Sequence, residues 1–133
     1  MVDLTELVTV WTARYEDAWR APGTDLLAGL FTPDATYRPA PFAEPVRGLA
    51  AIARLWEAER SGPDEPFTMT AEPVAASDGR AVVRVEVRYG PPTNAQYRDL
   101  WIVHLREDGR CHSFEEWPFW PPGTSGAIAG SAR

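Results

Sequence analysis

The sequence predicts an α+β fold, with the helices first and the strands last. Two observations carry this. Residues 4–60 hold apolar stripes at three- and four-residue spacing, divided by Pro and Gly. Residues 67–119 change to a two-residue alternation, interrupted by Ser77-Asp78-Gly79 and Asp108-Gly109, both hairpin signals. Helices and strands segregated in this way pack as helices against one face of an antiparallel sheet. A length of 133 residues suits a single domain, placed here at 1–120, with a Gly/Ala/Ser-rich stretch at 121–133 expected to be a flexible tail.

Each element has a local reason. Leu4, Leu7, Val8, Trp11, Tyr15, Ala18 and Trp19 form one stripe of a first helix. Asp3 is placed to cap it, with Glu6 three residues on, and Ala21-Pro22-Gly23 stops it. A short second helix follows from Leu26 to Phe31, capped by Thr24 or Asp25 and ended by Thr32-Pro33-Asp34. Ala35-Thr36-Tyr37-Arg38 favours a strand. The three prolines of residues 39–45 remove ladder donors, so that stretch reads as an ordered loop. A third helix spans about Gly48 to Arg60, with Leu49, Ile52, Leu55 and Trp56 on one face. Strands are expected over Phe67–Glu72, Arg80–Tyr89, Tyr97–Arg106 and Cys111–Phe119.

Composition excludes several functions. Thirteen basic against nineteen acidic side chains leave a net charge of -6. A nucleic-acid partner, which needs clustered positive charge, is excluded on that basis. One cysteine, Cys111, allows neither an internal disulfide nor a cysteine-rich metal site. His104 and His112 at spacing eight are not a ligand pattern, so no metal and no cofactor are expected. No apolar run approaches the roughly 18 residues of a membrane span, and no basic, then apolar leader opens the chain. A cytoplasmic domain with no membrane partner is the expectation. Six Trp among fifteen aromatics are a surplus that suggests a ligand cavity or an interface.

The Asp108-Gly109 turn fixes a register. If those two residues form the loop, Leu105 faces His112, Val103 faces Phe114, Trp101 faces Glu116 and Asp99 faces Pro118, all on one face of the sheet. This face is the more apolar, so it should meet the helices. Asp99 and Glu116 then point into a largely apolar concavity, which favours the neutral form of an acid and makes it useful in proton transfer. The opposite face carries Leu100, Ile102 and Trp117, an apolar patch that suggests a partner surface. It also carries Arg84, Glu86 and Arg88, a ladder of opposite charges. Cys111 reads as inert.

Three stretches carry a family resemblance. They are Leu30-Phe31-Thr32-Pro33-Asp34-Ala35-Thr36-Tyr37, then Gly48-Leu49-Ala50-Ala51-Ile52, then Tyr97-Arg98-Asp99-Leu100-Trp101 running through Asp108-Gly109-Arg110 to Phe114-Glu115-Glu116-Trp117. Over about residues 4–120 the chain resembles the SnoaL-like polyketide cyclases, within the superfamily of nuclear transport factor two and ketosteroid isomerase. The resemblance implies a cone of three helices on a curved, mostly antiparallel sheet, with a pocket at the open end. It also implies homodimers through the outer sheet face. Tyr15 matches the phenol donor of ketosteroid isomerases. Pro39 stands where their proton-shuttling Asp belongs, and their second Asp falls at Trp101, one inward position beyond Asp99. Glu116 stands in for the acid of SnoaL-like cyclases, and His104 lies near their His but is turned outward by the register. The Asp–Arg–Asp arrangement of limonene-epoxide hydrolases is not matched, because the adjacent Arg98 and Asp99 face opposite sides.

The expected function is therefore cofactor-free acid–base chemistry on an apolar, oxygenated small molecule: isomerisation, cyclisation or dehydration. Asp99 or Glu116 would move the proton, and Tyr15, alone or together with Tyr37, would donate to the developing oxyanion, where electrostatic stabilisation is largest. Tyr37, Phe42, Trp56, Trp101 and Phe114 would bind the substrate. The alternative is a non-catalytic ligand-binding or dimerisation module of the same shape.

Overall fold

The computed structural model describes residues 3–60, 66–91 and 95–122. Helix α1 (Leu4–Arg20) starts at Asp3, whose side chain accepts from the Thr5 amide. Its buried residues, Val8, Trp11, Thr12, Tyr15 and Ala18, follow the helical repeat read from the sequence. Helix α2 is a single turn, Leu27–Leu30. Helix α3 (Leu49–Glu59) turns Ile52 and Trp56 into the core. Gly48 precedes it at φ +91°, a backbone region that favours glycine, and donates its amide to the Ala35 carbonyl.

Six strands form one sheet in the order β2-β1-β6-β5-β4-β3. They are β1 (Phe31–Arg38), β2 (Val46–Arg47), β3 (Phe67–Ser77), β4 (Arg80–Tyr89), β5 (Gln96–Leu105) and β6 (Cys111–Phe119). All neighbouring pairs are antiparallel except β1 with β6, which is parallel. The result is the expected α+β architecture, with the N-terminal helices on one face of a mostly antiparallel sheet. Among the described residues, no helix is long and apolar enough to cross a membrane. Residues 123–133, most of the expected tail, lie outside the described residues.

Two strands are longer than their local sequence suggested. β1 begins at Phe31 rather than Ala35, passing Pro33 at an irregularity between Phe31 and Thr36 where pairing to β6 is interrupted. β3 continues through Pro73 to Ser77 by a bulge between Pro73 and Ala75. Both prolines sit where no regular ladder bond is demanded of them, and β3 is an edge strand. The β3–β4 hairpin turns on Asp78 and Gly79, at φ +54° and +78°, the paired positive values of a type I′ turn.

The predicted register of β5 and β6 is observed from Arg98↔Phe119 through His104↔Ser113. It breaks at the turn end, where a bulge pairs Leu105 with Cys111 instead of His112. One residue of slip exchanges the faces. Cys111 therefore goes inside, fully buried, and His112 joins His104 on the outside, with ring centroids 5.6 Å apart. Burial pushes the Cys111 thiol up to about 12, and its sulfur donates to the Ser113 carbonyl, so it is an inert core group.

The inward face is as expected: Asp99, Trp101, Val103, Leu105, Phe114 and Glu116 are buried. Outward, Leu100, Trp117 and Phe119 are 37%, 40% and 55% exposed. The charge ladder is present beside them, with Arg84–Glu72 at 3.0 Å and Arg98–Glu86 at 3.7 Å. Pairs this exposed contribute about 0–1 kcal/mol each, so they shape the surface more than they hold the fold.

Candidate active site

A cleft opens between α1, α3 and the concave face of the sheet. Its narrow interior measures about 40 Å³, above the roughly 10–15 Å³ needed to admit water. Tyr15 and Trp19 line it from α1, Leu55, Trp56 and Glu59 from α3, and Tyr37 from β1. Val87 and Tyr89 from β4, Tyr97 and Trp101 from β5, and Glu116 from β6 complete the polar and aromatic wall. Phe67, Met69 and Trp120 stand at its edges.

Three groups in this wall form a chain. The Tyr37 hydroxyl donates to Glu116 Oε2 at 3.0 Å, and the Tyr15 and Tyr37 hydroxyls lie 3.2 Å apart. Helical spacing puts Tyr15 on the buried stripe of α1, strand parity puts Tyr37 and Glu116 inward, and the parallel β1–β6 pairing brings the last two together. The phenol of Tyr37 is held well above its ordinary 10.0, first by burial, then by the charge of Glu116 and by Tyr15. Tyr97 is raised in the same way, by burial and then by Glu116. Both phenols therefore keep their protons at any ordinary pH, and that of Tyr37 is spent on Glu116.

Asp99 has a different position from the one its sequence context suggested. It is 2% exposed and does not line the cleft. One carboxylate oxygen accepts from Trp101 Nε1 at 3.0 Å, the other from the Trp117 amide at 3.1 Å. The carboxylate thus sits behind the wall and fixes the indole of Trp101, which is the wall.

The substrate-binding candidates divide. Tyr37, Trp56 and Trp101 line the cleft. Phe42 does not: it is fully exposed, on a loop tied back by a bond from Arg38 to the Ala43 carbonyl. The loop leaves the cleft after Pro39, so the placement of Phe42 in the pocket is corrected. Phe114 is also corrected. It is buried one layer back, with its ring 4.6 Å from Tyr37 and 5.8 Å from Tyr15, supporting the two phenols from behind. Pro39 lines the cleft where ketosteroid isomerases would carry an acid, so the carboxylate of β6 is the acid the cleft wall presents beside the phenols. Arg98 is outward and exposed while Asp99 is inward, as the spacing required.

Trp19, Tyr97 and Trp120 were missed as cavity residues. Two signals could have found the first two. Trp19 lies one helical turn beyond Tyr15 on the same face, and Tyr97 shares the inward parity of Asp99 and Trp101. The Tyr15 and Trp19 rings are parallel within 2° at 6.4 Å, and Trp19 meets Trp56 edge-on at 4.8 Å.

Comparison with known proteins agrees with this architecture. The family model described as a SnoaL-like domain matches residues 12–113, more than half of the chain. The chain belongs to the SnoaL-like domain family. Its fold is similar to that of a candidate SnoaL-like polyketide cyclase from Jannaschia sp. CCS1, at TM-score 0.70 and 14% identity, covering 89% of each chain. It is also similar to a candidate ketosteroid isomerase from Kribbella flavida, at TM-score 0.63 and 18% identity, covering 92% of this chain and 80% of the other. An NTF2-like protein of unknown function from Mesorhizobium loti aligns at TM-score 0.65 and 21% identity, over 90% and 96%. These identities speak for the fold alone. No curated protein matches the sequence significantly. Within this SnoaL-like domain, the site must be argued from its own residues.

Proposed function

We propose that this SnoaL-like protein is an enzyme that moves a proton on a small, apolar, oxygenated substrate, in an isomerisation, cyclisation or dehydration that uses the chain's own side chains. The observation that carries the reading is the Tyr15–Tyr37–Glu116 chain ending on the cleft. A carboxylate inside an aromatic wall, oriented by a phenol, has the make-up of a general base. Tyr37 engages Oε2, and Oε1 is the oxygen with capacity for a substrate proton. That proton would leave a carbon beside a carbonyl, the bonding pair would pass to the carbonyl oxygen, and Glu116 would return the proton to the same skeleton. Asp99 has the position of a support, not of the base.

A cavity wall that includes a carboxylate favours catalysis over the binding-module alternative, which would be better served by carboxyls paired away from the ligand. The aromatic lining favours flat, apolar substrates that can lie against rings. We propose further that two copies associate through the outer sheet face, where Leu100, Trp117 and Phe119 are exposed together with half-buried Ile102.

The test is deuterium exchange into the α-carbons of 2-indanone in heavy water, a planar apolar ketone with activated C–H bonds. The wild type should exceed the buffer rate, and Glu116→Gln should lose about 100-fold or more of the enzymatic rate, as expected for removal of a general base. A wild-type rate equal to buffer, or equal rates in the two proteins, refutes the reading.

A further inference from the structure

Counting protons in the relay leads to a different donor for the substrate oxygen. Each phenol has one proton. Tyr37 gives its proton to Glu116, so the contact between the two hydroxyls must be made with the proton of Tyr15. Both phenol protons are then committed inside the chain while Glu116 is ionised, the state in which it acts as a base. The expectation that Tyr15 donates to a developing oxyanion does not survive this count.

Another donor is at hand. Among the described residues, the indole nitrogen of Trp56 is the one buried side-chain polar atom with no hydrogen-bond partner. Trp56 is 1% exposed and forms part of the cleft wall, its ring 5.1 Å from that of Tyr15 and edge-on to it. The other buried indoles are satisfied: Trp11 donates to the Leu30 carbonyl at 2.9 Å, and Trp101 to Asp99. An indole N–H is a donor only, and leaving one unmet in an apolar setting is costly, so such groups are rare and need a reason. Trp56 lines the cleft and keeps an uncommitted donor, so a ligand oxygen that reaches this nitrogen would supply the missing acceptor.

We infer that Trp56 Nε1 donates a hydrogen bond to an oxygen acceptor of the bound ligand, so that the cleft selects planar apolar molecules bearing a carbonyl-type oxygen over the corresponding hydrocarbons. This rests on the cleft being the substrate site, and it adds the group that reads the oxygen. With Glu116 as the base and Trp56 as the donor, the substrate's charge would develop toward an N–H that is already buried and spends nothing on reorientation.

The experiment uses 2-indanone and indane, which share a skeleton and differ by one oxygen. In the ¹⁵N-labelled full-length protein, the Trp56 side-chain N–H resonance is assigned by its loss in Trp56→Phe. Addition of 2-indanone should move that resonance downfield to saturation, and indane should not. Trp56→Phe should weaken 2-indanone about tenfold more than it weakens indane, the value of one buried hydrogen bond. Replacing Trp56 with 3-benzothienylalanine, which keeps the bicyclic shape and swaps N–H for sulfur, should reproduce that loss even if the smaller Phe side chain disturbs the fold. The inference is overturned if 2-indanone binds with the Trp56 resonance unmoved, if it binds no better than indane, if it does not bind, or if the benzothienyl variant binds it as the wild type does. The outcomes separate cleanly from the catalytic reading. Glu116-dependent exchange with a silent Trp56 resonance removes this inference alone, and a shifted Trp56 resonance without exchange removes the proton-transfer reading alone.

Discussion

Replacing Asp99 with Ala tests whether this carboxylate is a structural clamp. In the wild type it accepts two hydrogen bonds, from Trp101 Nε1 at 3.0 Å and from the Trp117 amide at 3.1 Å. Bonds to a charged acceptor contribute about 1.5–3 kcal/mol each, so the gross loss is about 3–6 kcal/mol. An opposing term exists: the variant no longer buries a carboxylate, and that desolvation cost is recovered. The Trp117 amide is also only partly buried, so water can meet it. The net expectation is a destabilisation of about 3 kcal/mol, or about 10–15 °C in Tm for a chain of this size. Urea denaturation followed by Trp fluorescence measures it. The mechanism adds a stricter requirement. If the loss arises from the stranded indole N–H, Trp101→Phe should suppress part of it, and the Asp99→Ala/Trp101→Phe cycle should give a coupling of about 1 kcal/mol or more. A loss below about 1 kcal/mol, or additive single changes, would refute the clamp and return Asp99 to the list of groups that could act on a substrate.

Three other outcomes are expected. Tyr37→Phe should alter the alkaline limb of stability. Folding raises this phenol above 10.0, so the folded chain keeps a proton that the unfolded chain loses. That contribution is complete below pH 10 and drains as pH rises toward the folded value, so between pH 10 and 11 the urea midpoint of the variant should fall less steeply than that of the wild type. Arg60→Ala should cost about 2 kcal/mol in chemical denaturation, because Arg60 donates to the Ala18, Trp19, Ala21 and Gly23 carbonyls and so satisfies the C-terminal end of α1. Leu100→Glu, on the exposed strip, should convert a dimer to a monomer in light scattering without lowering Tm of the isolated protomer by more than a few degrees. A wild-type monomer at tens of micromolar would remove the dimer proposal.

Much of the fold was legible because its signals are periodic. The α1 stripe, the Asp78-Gly79 turn and the register from residue 98 to 104 all followed from spacing alone. The departures share one cause, the insertion of single residues into ladders. The bulge at Leu105 exchanged Cys111 and His112 between faces, and irregularities at Pro33 and Pro73 let β1 and β3 run on past residues that looked like stops. Nothing in a lone sequence marks where a strand will absorb an extra residue, because the choice depends on what its neighbour offers across the ladder. Parity had the same limited reach in the site. It placed Asp99 and Glu116 on one face, and both are buried. Parity gives a side, not a depth. Asp99 is consumed by an indole two residues along its own strand, and Glu116 meets a phenol from a strand 79 residues earlier. The two acids, equivalent on paper, are separated by what their neighbours donate to them. The same holds for the tryptophans. Trp11, Trp56 and Trp101 are all inward-facing and buried, but two are matched to acceptors within the fold and one is not. Where ligand chemistry is concerned, the residue without a match is the informative one, and only the assembled hydrogen-bond inventory distinguishes it from the others.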